Sequence, residues 1–237
     1  TLQVLKGNPQ LDQTRIDNFD LRLEHFPNLG EVLSASVFFK RFTDPIEQNT
    51  VLEAVNTELT WSNLPYANVW GLELEGRKDF GNLTETPFLK DLTLSGNISF
   101  IRSASRIWRN ELETIRAQNP LQTETRPLFG QAPYILNGVL TYTNDSIGMS
   151  ATVAFNVQGP KVLLVTLGAL PNVMQQPTPT LDFSLGKMLR EHVRLGFKAR
   201  NLIHPRDRKT HLSNGVHYDW NSFTRGRTYS LSVSYNI

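Results

Sequence analysis

Residues Thr228 to Ile237 read T-Y-S-L-S-V-S-Y-N-I. Tyr229, Leu231, Val233, Tyr235 and Ile237 take every second position, with Ser230, Ser232, Ser234 and Asn236 between them. That is the period of a β-strand with one apolar and one polar face. A soluble sandwich would set the apolar face against a second sheet. A transmembrane barrel would set it against lipid, with aromatic residues toward the interfaces.

Eight further stretches upstream carry the same alternation. Phe19, Leu21 and Leu23 alternate with a charged set, Asp20, Arg22 and Glu24; after the turn residues Pro27, Asn28 and Gly30 come Leu33, Ala35, Val37 and Phe39. Trp70, Leu72 and Leu74 alternate with Glu73, Glu75 and Arg77, and Leu92, Leu94, Ile98 and Phe100 with Thr93, Ser95, Asn97 and Ser99. Tyr134 to Tyr142 and Met149 to Val157 flank an N-D-S turn; Leu181 to Leu185 and Val193 to Ala199 flank a reversal at Arg190 and Glu191. The last of these strands carries Arg194, Lys198 and Arg200 on its polar side.

The connections alternate too. Short ones follow the first, third, fifth and seventh strands, and long ones the second, fourth, sixth and eighth. All-long loops at one end and short turns at the other is the layout of an antiparallel transmembrane β-barrel, with short periplasmic turns and long extracellular loops. A soluble adhesin-like sandwich has no reason to segregate them so strictly. Within the long connections Trp108 to Gln118 has helical composition, and Thr57 to Asn63 is the one place where a tenth strand could have been overlooked.

Composition excludes several classes. The net charge is +2 and the basic residues form no block, so no nucleic-acid partner is expected. There is no cysteine, hence no disulfide framework and no thiolate site. The longest apolar run, Val162 to Leu170, is far short of the roughly 18 residues of a spanning helix. The first residues, T-L-Q-V-L-K-G-N-P, do not read as a signal peptide. Nine strands is an odd number where bacterial single-chain barrels have an even one. The chain is therefore expected to be the C-terminal portion, residues 1–237, of a larger barrel.

The order of several short motifs resembles a known family. G-N-P-Q-L (Gly7 to Leu11), I-D-N-F-D-L-R (Ile16 to Arg22), S-V-F-F-K-R-F-T-D-P-I-E (Ser36 to Glu47), N-V-W-G-L-E-L-E (Asn68 to Glu75), G-Q-A-P-Y-I-L-N (Gly130 to Asn137), R-N-L (Arg200 to Leu202) and R-G-R-T-Y-S-L-S-V-S-Y (Arg225 to Tyr235) together resemble the C-terminal half of the TonB-dependent receptor barrel, in its starch-utilisation-type branch. The resemblance implies about 22 strands closed by an N-terminal plug, with plug, TonB-binding box and signal peptide absent from this chain. It implies import of a nutrient ligand across an outer membrane, with TonB and outer-membrane lipid as partners and a surface lipoprotein lid of the starch-utilisation type as a further one. A receptor-like barrel acting as scaffold for surface lipoproteins or secretion partners is the alternative. The family usually closes on Phe or Trp where this chain has Ile237.

On this reading Asp20, Arg22, Glu24, Glu73, Glu75, Arg77, Arg194, Lys198 and Arg200 face the lumen and plug, and Tyr229, Leu231, Val233, Tyr235 and Ile237 form the insertion strand. Trp61, Trp108 and Trp220 sit in long connections and could stack on a ligand. His204, His211 and His217, with Asp207 and Asp219, match no metal-ligand spacing, and His192 near Ser184 is a poor start for a catalytic triad. Neither a cofactor nor enzymatic chemistry is expected.

Overall fold

The computed structural model of the protein describes residues 3–52, 57–117, 120–167, 171–189, 192–213 and 216–235. In chain order the first strands are β1 (Gln3–Leu5), β2 (Arg15–His25), β3 (Val32–Thr43), β4 (Ile46–Leu52), β5 (Thr57–Asn63), β6 (Tyr66–Asp79) and β7 (Leu92–Arg106). After helix α1 (Arg109–Arg116) come β8 (Thr125–Arg126), β9 (Tyr134–Asn144), β10 (Met149–Gln158), β11 (Lys161–Leu167) and β12 (Val173–Gln175). The last are β13 (Thr180–Leu189), β14 (Val193–Arg200), β15 (Arg206–Ser213), β16 (Val216–Thr224) and β17 (Thr228–Tyr235).

The nine alternating stretches pair into one antiparallel wall in the order β17-β14-β13-β10-β9-β7-β6-β3-β2, with β8 attached to β7. Each sequence neighbour in the wall is a spatial neighbour, as in an up-and-down barrel. Because side chains alternate in each strand, registered pairing keeps all the apolar positions on one face. One row runs Leu23, Ala35, Leu74, Ile98, Leu136, Val157. No second layer covers this row: Leu23 is 69% exposed, Leu74 40% and Leu136 36%, and on the same face at the far edge Leu231 is 86% exposed. A sheet face this apolar and this open needs a nonpolar solvent.

The register also carries the stagger of a barrel. Starting at Lys78, one residue from the short-turn end of β6, the paired positions run through Leu94, Leu140, Val153, Phe183 and Ala199 to Tyr229, next to the opposite end of β17. Across seven strands the row has climbed nearly a full strand length, so the strands tilt steeply to the row, as closure requires. β2 and β17 form the two edges of this sheet.

The long connections are not irregular, and the expectation of polar loops is corrected there. β4, β5, β11, β12, β15 and β16 join with β1 in a second, seven-stranded sheet, ordered β1-β5-β4-β11-β12-β15-β16. No period marked them: β4, β5, β15 and β16 are rich in polar residues, β11 is a continuous apolar run, and β12 is only three residues long, so none shows the apolar-polar alternation of the wall. Thr57–Asn63 is indeed a strand, β5, but it pairs with β4 and β1 and adds nothing to the nine of the wall. α1 falls within the stretch whose composition is helical. β6 begins at Tyr66 and not at Trp70, so the wall extends a turn's length further on that side. The reversal at Arg190 and Glu191, and Ile237, lie outside the described residues.

At the short-turn end one carboxylate ties two turns together. Glu31 is buried beneath the Gly30 turn and accepts from Lys78 Nζ at 2.9 Å, Asn82 Nδ2 at 2.9 Å and Asn28 Nδ2 at 2.9 Å. The Lys78 bond first, with the amide donors, outweighs desolvation and holds the carboxyl down to about 2, from an ordinary 4.5. A depressed carboxyl stabilises the fold above its unfolded pKa, near 4.5, and loses that contribution as pH falls toward 2. Glu31→Gln should therefore melt earlier than the parent at pH 7, with the gap closing under strong acid. A gap that is the same at pH 3 and pH 7 would count against the ionised lock.

Candidate functional site: the interior face and the layer above it

The polar face opposite the apolar one changes character along the wall. Across β2, β3 and β6 it is charged. Arg22 donates from Nε to Glu24 at 2.6 Å, from Nη2 to Glu75 at 2.8 Å and from Nη1 to Ser36 Oγ at 3.4 Å, so three strands share one guanidinium. Asp20 accepts from Asn18. The register sets Glu73 between Ser36 and Ser99, and Arg77 between Val32 and Ser95. With Arg22 43% and Glu75 46% exposed, water screens these pairs, and they fix side-chain positions more than they stabilise the fold.

Across β7, β9 and β10 the same face is neutral. Asn137 donates to Asn97 at 2.7 Å and Asn156 donates to Asn137, an amide ladder across three strands that the sequence shows only as well-spaced asparagines. Beyond it β14 brings Arg194, Lys198 and Arg200 opposite Met188, Ser184 and the hydroxyls of β17, Ser234, Ser230 and Thr228. Arg194 reaches Ser150 Oγ at 3.5 Å. The nine candidate charges thus share one face, but only Arg22, Glu24 and Glu75 are drawn into a cluster among the described residues.

At the long-connection end the layer built by the connections, the second sheet among them, meets this interior face through β8 and a few buried residues. The wall residues it helps to bury, Ala67, Val69 and Ser105, all have interior parity. Leu64, Ile107, Leu112, Ala132, Val162 and Val165 complete a small core there, each at most 5% exposed. Inside it lies a charge cluster that sequence reasoning missed: Arg126 of β8 bonds Glu47 of β4 and, at 3.4 Å, Glu111 of α1. Glu111 and Arg126 lie 15 positions apart in one long connection, and Glu47 lies in another, 79 positions from Arg126. Burial pushes Glu47 up to about 7 and raises Glu111, against the pull of Arg126. Two carboxylates sharing one guanidinium in a dry site cannot both ionise without leaving an uncompensated charge.

Two of the three tryptophans stand on strands of the second sheet, and the third lies in a connection just before α1. Trp61 is on β5; Trp108 precedes α1 and donates its indole N–H to the carbonyl of Asn63 at 2.8 Å. Trp220 is on β16 under Lys209, whose ammonium lies 6.0 Å from the ring centroid. Four strands separate β5 from β16, so Trp61 and Trp108 share a neighbourhood that Trp220 does not. The carboxylates of the last long connection are engaged by arginines: Asp219 by Arg208 at 2.8 Å, Asp207 by Arg225 at 2.7 Å and by Gln175 at 2.8 Å. Burial acts to raise the Asp207 carboxyl, yet the donors prevail and it is lowered. Ser184 pairs with Lys198, whereas His192 packs on Tyr235 at 5.8 Å.

Trp70, by contrast, points from the apolar face, level with Phe39, and is 42% exposed. A protein retaining Trp70 as its single tryptophan should be quenched by brominated lipid, and one retaining Trp220 by aqueous iodide. The reverse pattern would mean the faces are inverted.

Nine staggered antiparallel strands, apolar outside and polar inside, with long connections gathered over one mouth, define the wall of a transmembrane β-barrel. The profile of the family described as TonB dependent receptor-like, beta-barrel, matches residues 1–202, and the chain belongs to that family. Among solved structures it is similar to the ferric yersiniabactin uptake receptor FyuA from Yersinia pestis, with a TM-score of 0.61 and 17% identity over 94% of this chain and 30% of that one. It is similar to the copper transporter OprC, with a TM-score of 0.64 and 14% identity over 96% and 32% of the two chains. The FrpB iron transporter from Neisseria meningitidis gives 0.59 and 13% over 98% and 32%. At these identities the likeness is one of fold. The chain spans about a third of the length of each. No curated protein sequence matches it.

Proposed function

We propose that this chain is the C-terminal wall of an outer-membrane receptor that imports a nutrient ligand by TonB-coupled transport, in a Gram-negative-type envelope. The observation that carries the reading is the ordered layer, a second sheet with a small buried core, that the long connections build at their end of the wall. A passive pore needs an open mouth, whereas a capture-and-release receptor needs an ordered structure above its lumen. The ion-paired interior face of β2, β3 and β6 fits the same role, because charges facing a plug must be satisfied in both the resting and the displaced state. On this proposal the remaining strands of a barrel of about 22, the plug and the TonB box belong to the rest of the protein.

The barrels of similar fold include uptake receptors and transporters for ferric chelates, iron and copper, which makes metal chelates the first ligands to try. The motifs quoted above instead favour the starch-utilisation branch, and with it oligosaccharides or peptides and a surface lipoprotein lid. The deciding experiment measures uptake of labelled ferric siderophores, copper complexes and oligosaccharides in cells lacking this gene, in cells lacking TonB, and in the parent. Uptake of one ligand class lost in both mutants supports the proposal. Uptake of every class unchanged in both, with the protein present in the outer membrane, leaves the scaffold role, for which co-purifying surface lipoproteins are the expected finding.

A further inference from the structure

Three arginines stand on the wrong face for a soluble role. Side-chain parity puts Arg15 on the face of Phe19 and Leu21, Arg41 on the face of Phe39 and Val37, and Arg102 on that of Phe100 and Ile98. That is the apolar, outward face. Arg41 lies one pair beyond the row Phe19, Phe39, Trp70, in which the Phe19 and Phe39 rings stack 6.5 Å apart, and Arg102 stands beside Trp70 in the next strand. Arg15 lies one pair beyond Arg41 in the adjacent strand. All three are exposed, and none has a side-chain partner among the described residues, although Asp17 is registered opposite Arg41. The face is asymmetric in this respect. At its short-turn end the cations are engaged, Lys78 by Glu31 and Lys187 by the carbonyl of Ile147 at 2.5 Å.

We propose that Arg15, Arg41 and Arg102 form an outward-facing site for the phosphate groups of a phosphorylated lipid in the outer leaflet. An aromatic row marks the hydrocarbon boundary; Arg41 is the next same-face position outward, Arg15 the second, and Arg102 continues the row into the next strand, where the stagger carries it outward to the depth of the head groups. A guanidinium there meets phosphate oxygens in the paired N–H geometry it matches best, and the arginine is always charged. Strand spacing and rise put the Arg15 and Arg41 backbones about 8 Å apart and those of Arg41 and Arg102 about 12 Å apart. Side chains of that length can converge on one head group carrying two phosphates. Free phosphate in water offers the same oxygens, but nothing to lie along the Phe19, Phe39 and Trp70 surface beneath the arginines.

The inference rests on the outer-membrane placement proposed above, and its test separates the two. The intact protein and its Arg15→Gln/Arg41→Gln/Arg102→Gln variant are placed in phosphatidylcholine nanodiscs doped with a bis-phosphorylated glycolipid or with its dephosphorylated form. Retained lipid adducts are then counted by native mass spectrometry. Heat-modifiable gel mobility shows that each protein is an inserted barrel, and a protein that fails to insert overturns the placement and the site with it. Among inserted proteins, adducts of the phosphorylated lipid should weaken by about five-fold for each arginine removed. Arg41→Gln alone should give a partial loss, and Arg109→Gln, on α1, none. Equal retention by parent and triple variant, or equal loss of the dephosphorylated lipid, overturns the site. Displacement of the lipid by millimolar inorganic phosphate also overturns it, as a site for soluble anions.

Discussion

Replacing Arg126 by Met should loosen the layer above the barrel mouth by about 3–5 kcal/mol, because it leaves Glu47 and Glu111 buried without their shared cation. Arg126 and Glu47 are 6% and 1% exposed at their side chains, so water cannot take over the lost contact. The wall itself has its own hydrogen-bond ladder and should survive. Limited proteolysis in increasing urea should therefore show early cleavage in the β4–β5 region while heat-modifiable mobility persists. Adding Glu47→Gln and Glu111→Gln to Arg126→Met should restore most of the resistance, since the charges that demanded a partner are gone. An unchanged urea midpoint in the single variant would sink the account.

The same cluster fixes a pH dependence with a definite sign. Glu47 is raised from an ordinary 4.5 to about 7, so the folded layer holds a proton that the unfolded chain gives up. Its stabilising effect is complete below about pH 4.5 and is lost as pH rises through about 7, with a slope of at most about 1.4 kcal/mol per pH unit. Glu47→Gln should flatten that slope between pH 4.5 and 7. This is the opposite sense to Glu31 at the other end, whose depressed carboxyl weakens the fold only in acid. Glu31 in a turn at one end of the wall and Glu47 in the layer at the other thus have opposite responses, set by whether the donors or the desolvation prevail.

The wall was legible in the sequence because bilayer and lumen are the two most different solvents a strand can divide. Leu231 and Ser232 leave no doubt about which face is which, and the same holds for all nine stretches. The second sheet was not legible because Gln48 to Thr50 and Glu58 to Asn63 are all half-buried or buried and mostly polar, a contrast too weak to set a period. The interior charges could be assigned to a face but not to partners: Arg22 finds Glu75 across 53 residues, through a register that only folding supplies. Glu47, Glu111 and Arg126 had no local signature at all. Each is an ordinary polar residue in a polar stretch, and what makes them a unit is the burial that three separate connections create together.

Leu140→Arg and Thr141→Arg should have very different consequences although they are adjacent. Leu140 sits between Leu94 and Val153 on the outward face near the middle of β9, and Thr141 between Thr93 and Thr152 on the inward one. An arginine placed in lipid at that depth costs about 2–4 kcal/mol, falling toward zero near the interfaces. Facing the lumen it can reach water or polar partners such as the hydroxyls of Thr93 and Thr152. The Leu140 variant should therefore lower the denaturant midpoint of the inserted barrel markedly and the Thr141 variant little. Tyr134→Arg, at the outer end of the same strand and the same face, should fall between them. This depth dependence separates lipid from a protein core: a sandwich interior would penalise residue 134 and residue 140 according to packing and not according to height. Equal losses at Leu140 and Thr141 would remove the two-solvent wall on which the fold, the interior site and the outward arginines all depend.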